Sequence, residues 1–378
     1  MKQYHQSMDR RSFLQVVAVT PLLAAKPALP SYRVTSPFKP DQRPGIPGRY
    51  PGEVVRVTCD RSIDVETERI DAQVVRSMLS AGMKGLTGAS TDRDAWSHFI
   101  APDDVVGIKV NCSGAPQVMS SPEVVSGIVA NLVDLGVPAS SIYIYERFQD
   151  QLDEVHYERS VPAGVQIQAA EHARGSIRGY DPSTFVEVNF FGEDDTRSYV
   201  MKLVSQKLTK IINVPNMKEH QAAGVTGCLK NAAYGNFSNV ARSHRNEISN
   251  TYSFIGSLAA VEPVRSRTVL NIMDGLRGVW HAGPFSKNKR FRFYPKQIMF
   301  GTDPVAMDRL LIEIIEEKRK EEHAPSIFDR SPTHVRTFGK TDPNFNAFVR
   351  EPGHVEYASQ LGLGVYDIDK IKLKAIVL

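Results

Sequence analysis

Cysteine is scarce in this chain of 378 residues: only Cys59, Cys112 and Cys228 are present, and none belongs to a C-x-x-C pair. That excludes a zinc ribbon and a disulfide scaffold, and it leaves too few thiolates for a cysteine-ligated iron–sulfur cluster. Long apolar runs are lacking as well, since no stretch reaches the roughly 18 residues that a stable membrane span requires. An excess of one charge is the third absence. Lys and Arg number 46 against 42 Asp and Glu, a net charge of +4 spread along the chain. Nothing there marks a nucleic-acid groove, while small anionic molecules remain compatible partners. No repeat of solenoid period is present either. What remains, 42% hydrophobic and 23% charged residues, is an ordinary globular composition with enough length to bury a substantial core.

The N-terminus reads as an export signal. Asp9-Arg10-Arg11-Ser12-Phe13-Leu14 resembles the twin-arginine motif, and the apolar stretch from Phe13 to Ala25 behind it is short and interrupted by Pro21. Residues 1–30 are therefore expected to engage the twin-arginine export machinery and to send the protein to the periplasm or otherwise out of the cytoplasm. The plainer alternative is an amphipathic N-terminal helix with two incidental arginines. Residues 31–52, rich in Pro, Gly and Arg, read as an extended linker. Residues 53–378 are expected to form a single large α/β domain.

Within that domain, Glu53 to Cys59 alternates as a strand, and Asp71 to Leu86 carries a helical stripe of Val74, Val75, Met78 and Leu79. Asp103 to Cys112 reads as a second strand, followed by a helix capped by Ser121 with Pro122 at its first position. Ser141 to Tyr145 is a third strand, ending at Glu146. Strand, helix, strand implies a parallel crossover, so the sheet is expected to be mixed and largely parallel, flanked by helices. Residues 150–200 hold weak signals and read as an inserted subdomain. Further on, Ile248 to Val261 is expected to be a helix, Thr268 to Met273 a strand ending in Asp274, and GVWHAGP from Gly278 to Pro284 a loop. Asp303-Pro304 opens a helix, and the polar tail from His323 to Pro352 is expected to wrap the surface.

One stretch has the composition of a site rather than of a core. From Asn213 to Gly235 the chain reads NVPNMKEHQAAGVTGCLKNAAYG. A short apolar strand, Leu208 to Val214, would deliver Lys218 and His220 on its exit loop. A helix over Ala222 to Tyr234 would set Thr226 and Lys230 on one face. Cations and free backbone N–H groups beside small residues suit a carboxylate or a phosphate.

INVPNMKEHQAAGVTGCLKN at Ile212 to Asn231, together with GIKVN at Gly107 to Asn111, MDG at Met273 to Gly275, GTDPVAMD at Gly301 to Asp308 and LGLG at Leu361 to Gly364, resembles the family known as domain of unknown function 362. The resemblance implies a set of polar site positions: Lys109, Asn111, Lys218, His220, Thr226, Lys230, Asn231, His244, Asp274, Asp303 and Asp308. Many relatives carry extra cysteine-rich, ferredoxin-like segments and are described as iron–sulfur proteins, but this chain lacks those cysteines.

Lys109, Glu146, Asn213, Lys218, His220 and Asp274 would converge at strand ends. The leading expectation is an enzyme acting on a small anionic substrate. His220, Lys109, Lys218 and Asp274 are its catalytic candidates, and Asn111, Glu146, Asn213, Thr226, Lys230, Asn231 and His244 its binding candidates. Lys109 could equally be a solvated strand end. His220 and His244 with Asp274 or Glu146 would suit a divalent metal, although their spacing matches no metal motif. Cys112 or Cys228 could act as a nucleophile, pack as a small core residue, or join the other in a disulfide. Asp303 is expected to be a helix cap, and Asp308 to bond the site loops. The contrasting reading is a ligand- or metal-binding accessory protein without catalysis, and the third a redox protein with a bound cluster.

Overall fold

Short β-branched runs alternating with amphipathic helices bury both faces of a sheet most simply by layering helices on each side. A computed structural model, describing residues 29–40, 45–245, 248–331 and 342–378, shows that arrangement. Ser31–Leu378 forms one compact unit. The export-signal motif lies outside the described residues. Among those that are described, no helix is long and apolar enough to cross a membrane.

Among the described residues the main sheet has eleven strands. Eight of them follow the order Lys372–Val377, Glu53–Thr58, Gln297–Gly301, Thr268–Val279, Lys210–Asn213, Val106–Lys109, Ile142–Phe148 and Gln166–Glu171. In this row only Gln297–Gly301 runs against the others. Because strand side chains alternate, neighbours such as Ile144 and Tyr145, Ile212 and Ile211, or Ile272 and Met273 enter different cores. One core is closed by the helices Ala72–Thr87 and Pro122–Leu135. The other is closed by Cys228–Tyr234, Thr251–Ala259 and Pro304–Glu321.

Helix starts follow the expected chemistry in part. Asp71 accepts from Gln73 and Val74. Asp303 caps its helix through Ala306 at 2.8 Å and also accepts the N–H of Gly52 and of Val365, each at 2.9 Å, so one carboxylate fastens three segments. Ser121 does not cap with its hydroxyl; its backbone N–H donates to Asp274 at 2.7 Å instead.

Several boundaries differ from the sequence reading. The strand expected to stop at Asp274 continues to Val279, and all twelve of its residues are buried. Its first part pairs with Lys210–Asn213, and its last part with a new strand, Asn216–His220. This extension absorbs what looked like an exit loop. Ala222 to Tyr234 is not one helix: Gly224–Thr226 folds back antiparallel on Asn216–His220, and the helix begins only at Cys228. Thr226 therefore sits on a strand and Lys230 on the helix after it. The expected linker contains a strand, Arg33–Thr35, paired with Tyr180–Glu187, which pairs in turn with Arg197–Met201. The anticipated insertion is thus divided, because Gln166–Glu171 joins the main sheet. Ile248–Ser249 forms a short ribbon with His244–Arg245, so the next helix starts at Thr251.

Candidate functional site

The site begins where the parallel strands end. Val106, Ile108 and Val110 face one core, so Lys109 faces the other side, against the ring of Tyr145. Its ammonium lies 2.9 Å from Glu146, donates to the Val110 carbonyl at 2.5 Å and reaches Asn231 at 3.5 Å. Glu146 also accepts the N–H of Cys112 at 3.2 Å and of Arg147 at 2.6 Å. A buried pair of this kind is supported by its additional hydrogen bonds rather than by attraction alone. Gly235 makes room for it: a Cβ there would stand 2.2 Å from Lys109 Cε.

Four asparagines cross the strand ends in one direction. Asn213 donates to Asn271 and Asn231 donates to Asn213, each at 2.8 Å, while Asn111 donates to Asn231 at 3.3 Å. The chain terminates where Lys218 donates to Asn111 at 2.8 Å; Lys218 also donates to the Ser113 carbonyl at 2.5 Å. Lys218 is wholly buried, and burial lowers its pKa from 10.5 to about 7, with Cys112 and Glu146 opposing the shift.

Alternation along Asn216–His220 decides what its residues do. Lys218 and His220 share a face, and Glu219 points the opposite way. Glu219 accepts from Arg350 at 2.8 Å and from the backbone of Gly283 at 2.8 Å. This residue therefore anchors the two loops that form the outer wall, one after Val279 and one around Phe348. Asp308 sets the start of the site helix. It accepts the N–H groups of Cys228 at 2.6 Å and Leu229 at 2.9 Å, and Gly227 allows the approach, since a Cβ there would lie 2.1 Å from the carboxylate.

These elements enclose a cleft of about 710 Å³. His220, Thr226, Lys230, His244, Asn111, Asn231 and Glu146 line its inner end. Lys230 is 7% exposed, and its ammonium sits 5.3 Å from the Tyr234 ring with no hydrogen-bond partner among the described residues. Burial, then the charge of Lys218, lowers its pKa from 10.5 to about 7. The Thr226 hydroxyl is likewise buried without a partner among the described residues. His220 Nδ1 receives the N–H groups of Ala222 at 3.1 Å and Ala223 at 3.2 Å. Both partners are donors, so Nδ1 is unprotonated and the proton of the neutral ring is on Nε2, which remains to face the cleft. Burial, then Lys230, keeps the His220 pKa well below 6.5. The His244 ring lies 5.6 Å from that of His220, and burial lowers its pKa to about 4.

The structure thus separates the predicted residues into two groups. His220, Thr226, Lys230, His244, Asn111, Asn231 and Glu146 reach the cleft, while Lys109, Lys218 and Asn213 stand behind its wall. Asp274 is not a wall residue. It is fully buried, accepting from Ser121 and Leu276, and burial raises its pKa. His281 does line the cleft, but both its ring nitrogens are engaged: Nδ1 receives Arg319 at 3.1 Å, and Nε2 donates to the Asp342 carbonyl at 3.1 Å. Sequence reasoning missed Asn271, although a lone asparagine in the apolar run VLNIM is a legible signal. It also missed the outer aromatic wall, which includes Phe148, Phe285, Phe345 and Phe348. Two of these come from the tail that was expected only to wrap the surface.

The metal and cluster expectations find no fitting donor set. Among the described residues no group of three His, Cys, Asp or Glu could hold a metal ion, and His220 has already committed Nδ1 to two donors. The three cysteines are free and buried, with no disulfide, and burial raises the pKa of Cys112 and of Cys228, against the thiolate a nucleophile or ligand requires.

Comparison with known proteins adds one match. The family model described as Domain of unknown function (DUF362) matches residues 106–313, more than half of the chain and most of the site. No curated protein matches.

Proposed function

The chain belongs to the DUF362 family, whose description assigns no activity, and from the geometry of the cleft we propose that it is an enzyme acting on a small anionic substrate, a carboxylate or a phosphate. One observation carries this reading: the Lys230 ammonium, which lines the cleft, has no hydrogen-bond partner among the described residues, and the Thr226 hydroxyl in the same cleft is buried and likewise unpartnered there. A buried hydroxyl is ordinarily satisfied, and three donors that line one cleft, Lys230, Thr226 and His220 Nε2–H, suit an anion's oxygens.

The roles differ from those expected at first. His220 is a neutral donor, suited to stabilising negative charge that develops on a substrate oxygen. Lys230, with a pKa of about 7, is the group that can give or take a proton near neutrality. Lys218 and the asparagine chain hold the inner wall in register. Lys109 and Glu146 fix the floor as a neutralised pair.

Binding should follow the charge of Lys230. Affinity for simple carboxylates and phosphomonoesters is expected to be high at about pH 6 and to fall toward about pH 9, as the ammonium loses its proton. Calorimetric titration of the wild type and of Lys230→Met reads this directly. A flat pH dependence in the wild type refutes the proposal. Because His220 supplies no base, the accessory binding reading remains the alternative. It prevails if Lys230→Met weakens ligand retention and no carboxylate or phosphate in a substrate screen is turned over by the wild type.

Export through the twin-arginine route is part of the same proposal, supported by Arg10-Arg11 and the apolar stretch behind them. Replacing both arginines by lysine should retain the protein in the cytoplasm on cell fractionation; unchanged export sinks this part.

A further inference from the structure

The cleft is much larger than the head group its inner end can hold. A carboxylate or phosphate displaces a few waters, roughly 60–120 Å³ at about 30 Å³ each, whereas the cleft measures about 710 Å³. Clefts of that size enclose molecules of drug size rather than simple ions.

The additional space is walled by rings. Phe348 meets the His244 ring edge-on, with centroids 5.7 Å apart and planes at 70°, so the apolar wall starts directly beside the polar end. Tyr234 lies under Lys230. Farther out, Phe148 carries the guanidinium groups of Arg147 at 4.6 Å and Arg174 at 4.0 Å from its centroid. Phe285 lines the same cleft and remains 49% exposed. Partly exposed phenylalanines that share a concave surface gain most when an apolar group covers them, and ring against ring adds edge-to-face contact beyond the area buried.

We infer that the ligand is an amphipathic anion: a carboxylate or phosphate head at Lys230, Thr226 and His220, joined to a ring-bearing apolar body that lies along Phe348, Phe148 and Phe285. This rests on the anion reading proposed above and narrows its substrate class. An inorganic ion would leave the aromatic wall uncovered, and an apolar molecule would leave the Lys230 ammonium uncompensated.

The test uses the full chain and paired ligands in calorimetry near pH 6.5: acetate against phenylacetate, inorganic phosphate against phenyl phosphate, and octanoate as an acyl comparison. The aryl member of each pair is expected to bind roughly 10- to 100-fold tighter, as each buried methylene equivalent contributes about 4-fold. Phe148→Ala should reduce aryl binding several-fold and leave acetate and inorganic phosphate unchanged. Phe285→Ala, at an exposed position, provides the same readout should the first variant fail to fold. Equal affinity within each pair overturns the inference and leaves the anion reading intact. Octanoate binding tighter than phenylacetate overturns the ring-bearing body. Absence of binding by every anion overturns both the inference and the anion reading.

Discussion

Replacing Lys230 by methionine should make the protein more stable while removing its ligand affinity. Methionine keeps a flexible stem of similar length over Tyr234 and loses only the ammonium. In the folded state the Lys230 pKa is about 7, against 10.5 for a free lysine, so the buried charge opposes folding by at most about 5 kcal/mol. Contact with the cleft screens part of this, and a gain of roughly 1–3 kcal/mol is the working expectation. The sign fixes the pH window. Below about 7 the lysine is protonated folded and unfolded, so the whole penalty is present. Between about 7 and 10.5 the folded state releases the proton first, and the penalty shrinks as pH rises. For a folded unit of about 350 residues, 1 kcal/mol corresponds to roughly 1.5 °C in Tm. Lys230→Met should therefore melt about 1.5–4.5 °C above wild type near pH 6, with the gap closing toward pH 9 to 10. A carboxylate or phosphate ligand at 100 times its Kd should raise the wild-type stability by about 2.7 kcal/mol and leave the variant unchanged. A variant less stable than wild type at pH 6, or a gap independent of pH, would show that Lys230 has a structural partner and would refute the reasoning.

Four further variants can be checked by chemical denaturation, with anion affinity read by calorimetry. Glu146→Gln leaves the Lys109 ammonium buried without its counter-charge and should cost about 3–5 kcal/mol, most of it regained when Lys109→Met is added. Gly227→Ala forces a Cβ against the Asp308 carboxylate, and Asp308→Asn weakens its bonds to Cys228 and Leu229; losses of roughly 2 kcal/mol or more and of about 1–3 kcal/mol are expected in turn. Thr226→Val should change stability by less than about 1 kcal/mol, because its hydroxyl has no partner to lose, yet reduce anion affinity several-fold; a larger loss of stability would mean that the hydroxyl is bonded.

How much of this was legible depends on the range of the forces involved. The strands around Val106, Ile142 and Lys210 and the helices at Asp71, Pro122 and Asp303 follow from periodicity and capping, which are local. The hairpin at Asn216–Thr226 does not, because Ala222 to Tyr234 has helical composition and only pairing with the far end of Thr268–Val279 makes its first part a strand. For the same reason Lys109, Asn111, Lys218 and Lys230 could be named as site residues but not assigned to the wall or to its support. That division depends on which ammonium finds acceptors. Asp274 looked like a strand-end carboxylate, and became a buried anchor once its strand continued past it. The tautomer of His220 depends on two backbone N–H groups whose direction no sequence pattern records.

The double pairing of Thr268–Val279 has a consequence for motion. A single buried strand hydrogen-bonds to the core of the sheet at one end and to the strand bearing Lys218 and His220 at the other. The wall strand that carries His220, with Lys218 behind it, is not expected to swing away as a local opening, because the strand that supports it also runs through the sheet. Its amides should exchange with solvent only when the whole domain unfolds, while those of the outer loops exchange more readily. On the reading proposed above, a ligand would then enter at the aromatic rim, while the His220 imidazole stays fixed on its strand.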